Sequence, residues 1–236
     1  MKSLVHFDKI VVEKPKLAKD RFHTRYILVR NGKREVCELR HKYEENIEGD
    51  NAQHYANLTS GIPAINHGLF AKEICFEFDL GPKEYLFFDQ MLKQMSIEIF
   101  VSRFYHDPLF IKSEYVAKKE DVKLVNVTCQ AKFIAGTGQD ITHFKADPNK
   151  IVVLSSGGKE SLLCYGLLNR AGMDVYPFYI NESGGHWRTA LTAYRSFKQN
   201  DNKTQRIWSN IDRLYAFMVR NSPVVENNIR GIKSIT

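Results

Sequence analysis

Ile151-Val152-Val153-Leu154-Ser155-Ser156-Gly157-Gly158-Lys159-Glu160-Ser161 is the stretch on which the reading of this chain turns. Four apolar residues end at a pair of serines, two glycines follow, and an amphipathic helical pattern begins. A buried parallel strand reads as such a continuous apolar run. A glycine turn between a strand and a helix start leaves backbone N–H groups and the helix dipole pointing at one spot, which suits an anion such as phosphate. Gly157 and Gly158 permit backbone angles closed to other residues and a close approach of ligand to main chain. Ser156 and Ser161 add hydroxyl donors.

Working outward, strand, loop and helix patterns alternate to the end of the chain. A helix is expected over 160–171, with Leu163, Leu167 and either Leu168 or Ala171 against the sheet and Gly172 as its stop. Residues 175–180 (VYPFYI) form a second strand, in which Pro177 implies an edge position or a bulge. A second helix spans 187–198, a short strand 204–209 and a third helix 211–220, with Ile211, Leu214, Tyr215 and Met218 aligned. Such alternation argues a parallel α/β sheet whose ligands sit beyond the carboxyl ends of the strands. The expected site therefore joins residues 155–161, 181–189 and 209–212. Asn210 and Asp212 read as a cap pair for the third helix.

The loop string Ser156-Gly157-Gly158-Lys159-Glu160-Ser161 resembles the Ser-Gly-Gly-x-Asp-Ser pyrophosphate loop of the PP-loop ATP pyrophosphatases, with Glu160 where Asp is usual. It is neither a Walker loop nor the three-glycine dinucleotide fingerprint. The resemblance implies a Rossmann-like, three-layer parallel sheet in the C-terminal part, with ATP and Mg²⁺ as ligands. Ser155 to Ser161, with Asn181 and Glu182, would bind the nucleotide, and Glu160 would help hold the metal. Lys159, His186 and Arg188 are the candidate catalytic groups. The implied chemistry is adenylation of a carboxylate or carbonyl oxygen with release of pyrophosphate. The epimerase branch acting on peptidoglycan precursors has a similar arrangement, a mixed N-terminal domain followed by this loop. A nucleotide-binding module without turnover is the other branch implied.

The second Gly-Gly segment, residues 181–189 (NESGGHWRT), follows a strand and opens a basic helix. Arg188 near a helix start opposes the helix dipole, a cost that a bound anion would offset.

The N-terminal part, residues 1–145, reads as a mixed, β-rich α+β domain, and residues 146–236 as the nucleotide-binding α/β domain. Asn31-Gly32 between RYILVR and REVCEL marks a hairpin. Residues 73–80 form a half-buried strand with Ile74, Phe76 and Phe78 on one face. Residues 82–95 form a helix presenting Leu86, Phe87, Met91, Leu92 and Met95. Residues 96–104 and 122–133 read as further strands, and 42–68 as loop or short helix. Asp147-Pro148-Asn149 marks the boundary.

With 236 residues and 43% hydrophobic content, the chain suffices for one large or two small domains. No apolar run approaches a membrane span and the N-terminus has no signal-peptide pattern, so a cytoplasmic, non-membrane protein is expected. Four scattered cysteines offer no metal or redox spacing. The net charge of +7 is uneven: from Ser183 onward nine basic residues stand against three acidic ones. That excess favours an anionic partner, whether ATP, a nucleotide-linked acceptor or RNA. Only 75 residues follow Ser161, enough for about two further strand–helix units. A homo-oligomer or a partner completing the sheet is the corresponding expectation.

Overall fold

The computed structural model describes residues 2–122, 129–141, 147–182 and 184–226. Nine strands within them form one mixed sheet. The N-terminal part supplies β1 (Phe7–Val12), β2 (Lys16–Ala18), β3 (Arg21–Arg30), β4 (Lys33–Tyr43), β5 (Ala71–Leu80) and β6 (Lys132–Thr137). The C-terminal part supplies β7 (Lys150–Ser155), β8 (Asp174–Asn181) and β9 (Gln205–Ser209). The spatial order is β6-β5-β1-β3-β4-β9-β8-β7, with β2 paired to β3 off this path. Five α-helices among the described residues accompany it: α1 (Ala52–Gly61), α2 (Pro82–Ile99), α3 (Lys159–Arg170), α4 (Gly185–Asn200) and α5 (Ile211–Arg220).

The α/β class stands, but the sheet is mixed and the expected parallel three-layer arrangement is corrected. β7, β8 and β9 are parallel to one another, yet β9 pairs antiparallel with β4 through His41–Ser209, Lys42–Trp208 and Tyr43–Ile207. The two parts of the chain therefore share one sheet. Asn210 strengthens this seam. Its Oδ1 accepts from the Arg40 N–H at 2.6 Å and its Nδ2 donates to the Glu38 carbonyl at 2.8 Å. The Asn210 side chain thus extends the β4 ladder instead of capping α5, which corrects the cap reading. Glu44, just past β4, accepts from the Tyr194 hydroxyl and pairs with Lys198 (3.5 Å) and Arg206 (3.1 Å). α4 and β9 are both held to β4 in this way.

The hairpin is present as read. Asn31 (φ 50°) and Gly32 (φ 75°) both take positive φ, the type I′ geometry whose twist matches the flanking strands. Along β3, Phe22, Thr24, Tyr26 and Leu28 are buried on one strand face, and Tyr26 and Leu28 join the main core, where Ile10, Val12, Ile74, Phe76 and Phe88 also lie. α5 adds Leu214 and Met218 to the same core. Pro82 occupies the first turn of α2, and the Gly81 N–H donates to Glu84 at 2.9 Å.

Several expectations are corrected. The segment 96–104 is helical: α2 runs to Ile99 and continues into a π-helical turn over Phe100–His106. Its buried residues Ser96, Ile99, Phe100 and Phe104 recur at helical spacing, and this burial outweighs the β-branched composition. α2 buries Phe88 and Leu92 but leaves Leu86 and Phe87 exposed. The strand expected over 122–133 is instead β6, starting at Lys132; residues 123–128 lie outside the described set. β1 and β2 were not anticipated, and 42–68 resolves into the end of β4, α1 and a 3-10 segment over Ile62–His67.

In the C-terminal part, Pro177 sits in a central strand without a bulge, opposite Val153. Pairing of β8 with β9 begins only at Phe178, so no ladder bond on that flank is required of Pro177. Gly172 (φ 79°) ends α3 as expected: its N–H bonds to the Asn169 carbonyl, and the Met173 N–H to that of Leu168. The inward face of α3 differs from the expected one. Leu163 and Leu167 are exposed at 64% and 58%, while Tyr165 packs edge-on to Phe197 of α4 at 4.7 Å.

Candidate functional site

β7 and β8 run side by side, Leu154 opposite Phe178 and Ser155 opposite Tyr179, so their carboxyl ends open at the same edge of the sheet. α3 and α4 both lie on the face carrying Tyr179, whose ring meets Tyr194 at 5.7 Å and Phe197 at 6.4 Å. Burial pushes the Tyr179 phenol above its ordinary pKa, and the Ser155 hydroxyl beside it partly offsets that rise.

The loop from Ser155 to Ser161 closes on itself. The Gly157 N–H donates to Ser155 Oγ at 3.2 Å, the Ser155 and Ser161 hydroxyls meet at 3.0 Å, and Ser161 donates to the Gly158 carbonyl at 3.0 Å. Gly157 has φ 78°, and a Cβ there would lie 2.9 Å from Ala190 Cα and 3.1 Å from the Thr189 carbonyl oxygen. The glycine is required twice, by its backbone angle and by its contact with α4. Gly158 is less constrained: it starts α3 with extended angles, and a Cβ would meet only Glu160 and Ser156 side-chain atoms, at 3.4 and 3.5 Å.

A cavity of about 360 Å³ opens beside this loop, lined by Leu154, Ser155, Ser156, Phe178, Ile180, Glu182 and Ala190. Its floor is apolar and its rim polar, the usual make-up of a small-molecule site. Leu154, Phe178 and Ile180 fall on the opposite sheet face from Tyr179. On that face Val152 and Leu154 of the edge strand β7 stay exposed at 60% and 67%, and Ile180 at 46%. These three strands thus carry helices on one face near the loop, where the three-layer expectation had both faces covered.

The expected site residues are partly brought together. Ser155, Ser156, Gly157, Gly158, Lys159, Glu160 and Ser161 form one strand–turn–helix unit, with Lys159 and Glu160 exposed in the first turn of α3. Asn181 ends β8 and Glu182 lies on the cavity rim. Arg188 is exposed on the first turns of α4, and Thr189 lies against Gly157 through its carbonyl. His186 belongs to the first turn of α4, but its side chain, like Ser183, lies outside the described set. The third expected element, 209–212, follows Trp208, which pairs with Asn181; its Asn210 bonds to β4, while Glu182 and Asp212 both add to the rise that burial gives the Tyr215 phenol. Among the described residues no group of three or more His, Cys, Asp or Glu side chains is arranged to hold a metal ion. Mg²⁺ usually keeps several waters and is held by one or two carboxylates together with substrate phosphates, so the exposed Glu160 carboxylate fits a cation that arrives with a triphosphate.

The apolar floor of Leu154, Phe178 and Ile180 was missed from sequence. The alternation in VYPFYI carried the signal, since it assigns Phe178 and Ile180 to the face opposite Tyr179. Among the described residues no helix is long and apolar enough to cross a membrane. The chain matches no family model, no curated protein and no solved structure.

Proposed function

We propose that the chain binds Mg-ATP at the loop 155–161 and activates a carboxylate or carbonyl oxygen of an anionic acceptor by adenylation. The observation that carries this reading is the juxtaposition of the Gly157–Gly158 turn, at the start of α3, with the apolar-floored cavity between the ends of β7 and β8. The loop amides, the α3 N-terminus and Lys159 favour the β- and γ-phosphates. Leu154, Phe178 and Ile180 offer a surface for the base, and Glu182 an acceptor for ribose or amino protons. Glu160 is the residue that would share Mg²⁺, which neutralises phosphate charge when bound.

In the reaction the acceptor oxygen forms a bond to the α-phosphorus, the bond from that phosphorus to the β-phosphate bridging oxygen breaks, and pyrophosphate leaves. The protein's contribution is positioning and charge stabilisation, from Lys159 on one side and Arg188 on the other. The exposed edge strand β7 supports a further part of the proposal, that a second chain or partner completes the sheet there.

The test is release of pyrophosphate from Mg-ATP in the presence of a panel of small and nucleotide-linked carboxylates. Release that Lys159→Ala reduces at least tenfold is expected. ATP binding without release under any acceptor would leave a nucleotide-binding module and remove the adenylation step. No ATP binding at all would remove both.

A further inference from the structure

The strand register sorts β2, β3, β4 and β9 into two faces. One face feeds the core. The other carries His23, Arg40, Lys42 and Trp208, since Lys42 pairs with both Arg21 and Trp208, and His23 with both Arg40 and Lys16. α4 ends its cover of this face at Glu44, which binds Tyr194, Lys198 and Arg206. Beyond that wall lie two adjoining hollows that share His23 and Glu38, of about 320 and 220 Å³. Together they form a groove across four strands.

The groove is strongly biased in charge. Six cationic side chains line it, Arg21, Arg40 and Lys42 in one hollow and Lys14, Lys16 and Arg25 in the other, against the carboxylates Glu13 and Glu38. Those acids are already engaged: Glu13 with Arg25 at 2.6 Å, and Glu38 with Arg40 and, at 3.5 Å, with His23. Asp20, beside the first hollow, takes Arg21 and Lys42 at 2.7 and 3.8 Å. These pairs fix the arginine heads and still leave a positive surplus. The basic excess of the C-terminal part, by contrast, is partly neutralised by Glu44 and by Asp174, which pairs with Lys203.

The half-buried Trp208 stands in the groove on the strand face of Lys42, and Phe22 also lines that hollow. A sheet face with cations around an aromatic is the arrangement by which proteins hold unpaired nucleic acid, phosphates on the cations and a base on the ring. Arg40 and Lys42, two residues apart on one strand face, are separated by about 7 Å, near the spacing of successive phosphates in an extended strand. A duplex keeps its bases stacked inside and presents no free base face to a ring recessed between side chains.

We propose that this groove, from Trp208 across Lys42 and Arg40 to Lys16, binds a single strand of nucleic acid. The proposal does not rest on the ATP reading, since the groove and the phosphate loop share no residue.

The test uses the full chain and a fluorescently labelled twelve-nucleotide oligo-U, read by anisotropy at 50 and 200 mM KCl. Binding at 50 mM is expected, weakened about 20- to 50-fold at 200 mM if three or four phosphates are contacted. Trp208→Ala should weaken it about tenfold or more. The exposed pair Lys14→Gln and Lys16→Gln should lower the salt slope by about 1.4 without changing the thermal midpoint, which keeps the test valid should Trp208→Ala unfold. Absence of binding at 50 mM would overturn the proposal. So would binding that is indifferent to these variants but lost in Arg188→Gln with Arg195→Gln, which would place the strand on α4. Equal affinity for a duplex of the same length would overturn it as well.

Discussion

Ser155 Oγ and Ser161 Oγ lie 3.0 Å apart, so the last residue of β7 and the first turn of α3 are tied across the glycine pair. This tie holds the loop in a tight turn whose outer rim is Ser156, Gly158 and Lys159. The Ser161 proton goes to the Gly158 carbonyl, so Ser155 is the donor to Ser161 and accepts from the Gly157 N–H. The turn is formed by the chain's own hydroxyls, and an incoming anion meets a backbone already shaped.

The two glycines should therefore respond differently to substitution. Gly157→Ala combines a positive φ with a contact of 2.9 Å to Ala190 Cα. A loss of about 2–4 kcal/mol is expected from strain and overpacking together. Gly158→Ala meets only movable side-chain atoms and should change stability by less than about 1 kcal/mol. Denaturant unfolding of the two variants checks this, and equal losses would contradict the loop geometry.

The seam between β4 and β9 makes a second prediction. Glu44 carries three partners, and its contact with Tyr194, after burial, helps push that phenol up to about 12. Glu44→Ala should destabilise the protein by about 1–3 kcal/mol, because Tyr194 is buried and would lose its acceptor. Tyr194→Phe should cost less, since it leaves Glu44 to Arg206 and Lys198. Urea titrations of both variants give the ordering, and a cost for Tyr194→Phe above that of Glu44→Ala would contradict it.

The buried His41 and His67 and the half-buried His6 set the acid limit. Burial lowers His6 and His41 to about 4 and His67 to about 3, with Arg30 further disfavouring charge on His6 and His6 on His67. Each is neutral when folded, whereas the unfolded chain takes up a proton near 6.5. Their contribution is present in full above pH 6.5 and is lost as pH falls through the folded values. Each adds a slope of about 1.4 kcal/mol per pH unit inside that window. Among the described residues His41 has no hydrogen-bond partner on either ring nitrogen, and its ring lies 4.7 Å from that of Phe22, so His41→Phe should flatten the pH 6 to 4.5 limb. Unfolding free energies measured across that range check this; an unchanged slope in the variant would contradict it.

How far the chain was legible depended on where burial is decided locally. The Asn31-Gly32 hairpin, the glycine stop at Gly172 and the strand–loop–helix units after Ile151 are short-range features, and their residues suffice to specify them. The 96–104 segment was not, because Ile97, Ile99 and Val101 favour a strand by type while Ile99, Phe100 and Phe104 meet the core at helical spacing. The β4–β9 seam was out of reach altogether. It depends on residues some 170 positions apart, and Asn210 before a helix carries the local signature of a cap. Pro177 misled for the same reason: its tolerance depends on where β9 starts to pair.

The outward faces of β7 and α3 give a further expectation. Leu163→Gln and Leu167→Gln replace residues that are mostly exposed, so stability should change by no more than about 0.5 kcal/mol in dilute solution. If β7 is where a second chain completes the sheet, the companion variant Leu154→Gln should also shift sedimentation at high concentration toward the monomer. A loss of 2 kcal/mol or more at Leu163 would contradict the observed face of α3.

Hydrogen exchange with and without Mg-ATP reads nucleotide binding at the loop residue by residue. Added nucleotide is expected to slow exchange of the amides from Ser156 to Leu162 and at the end of β8, with little change in β1 to β3. Unchanged exchange at 156–162, with protection elsewhere or nowhere, would contradict binding at the loop.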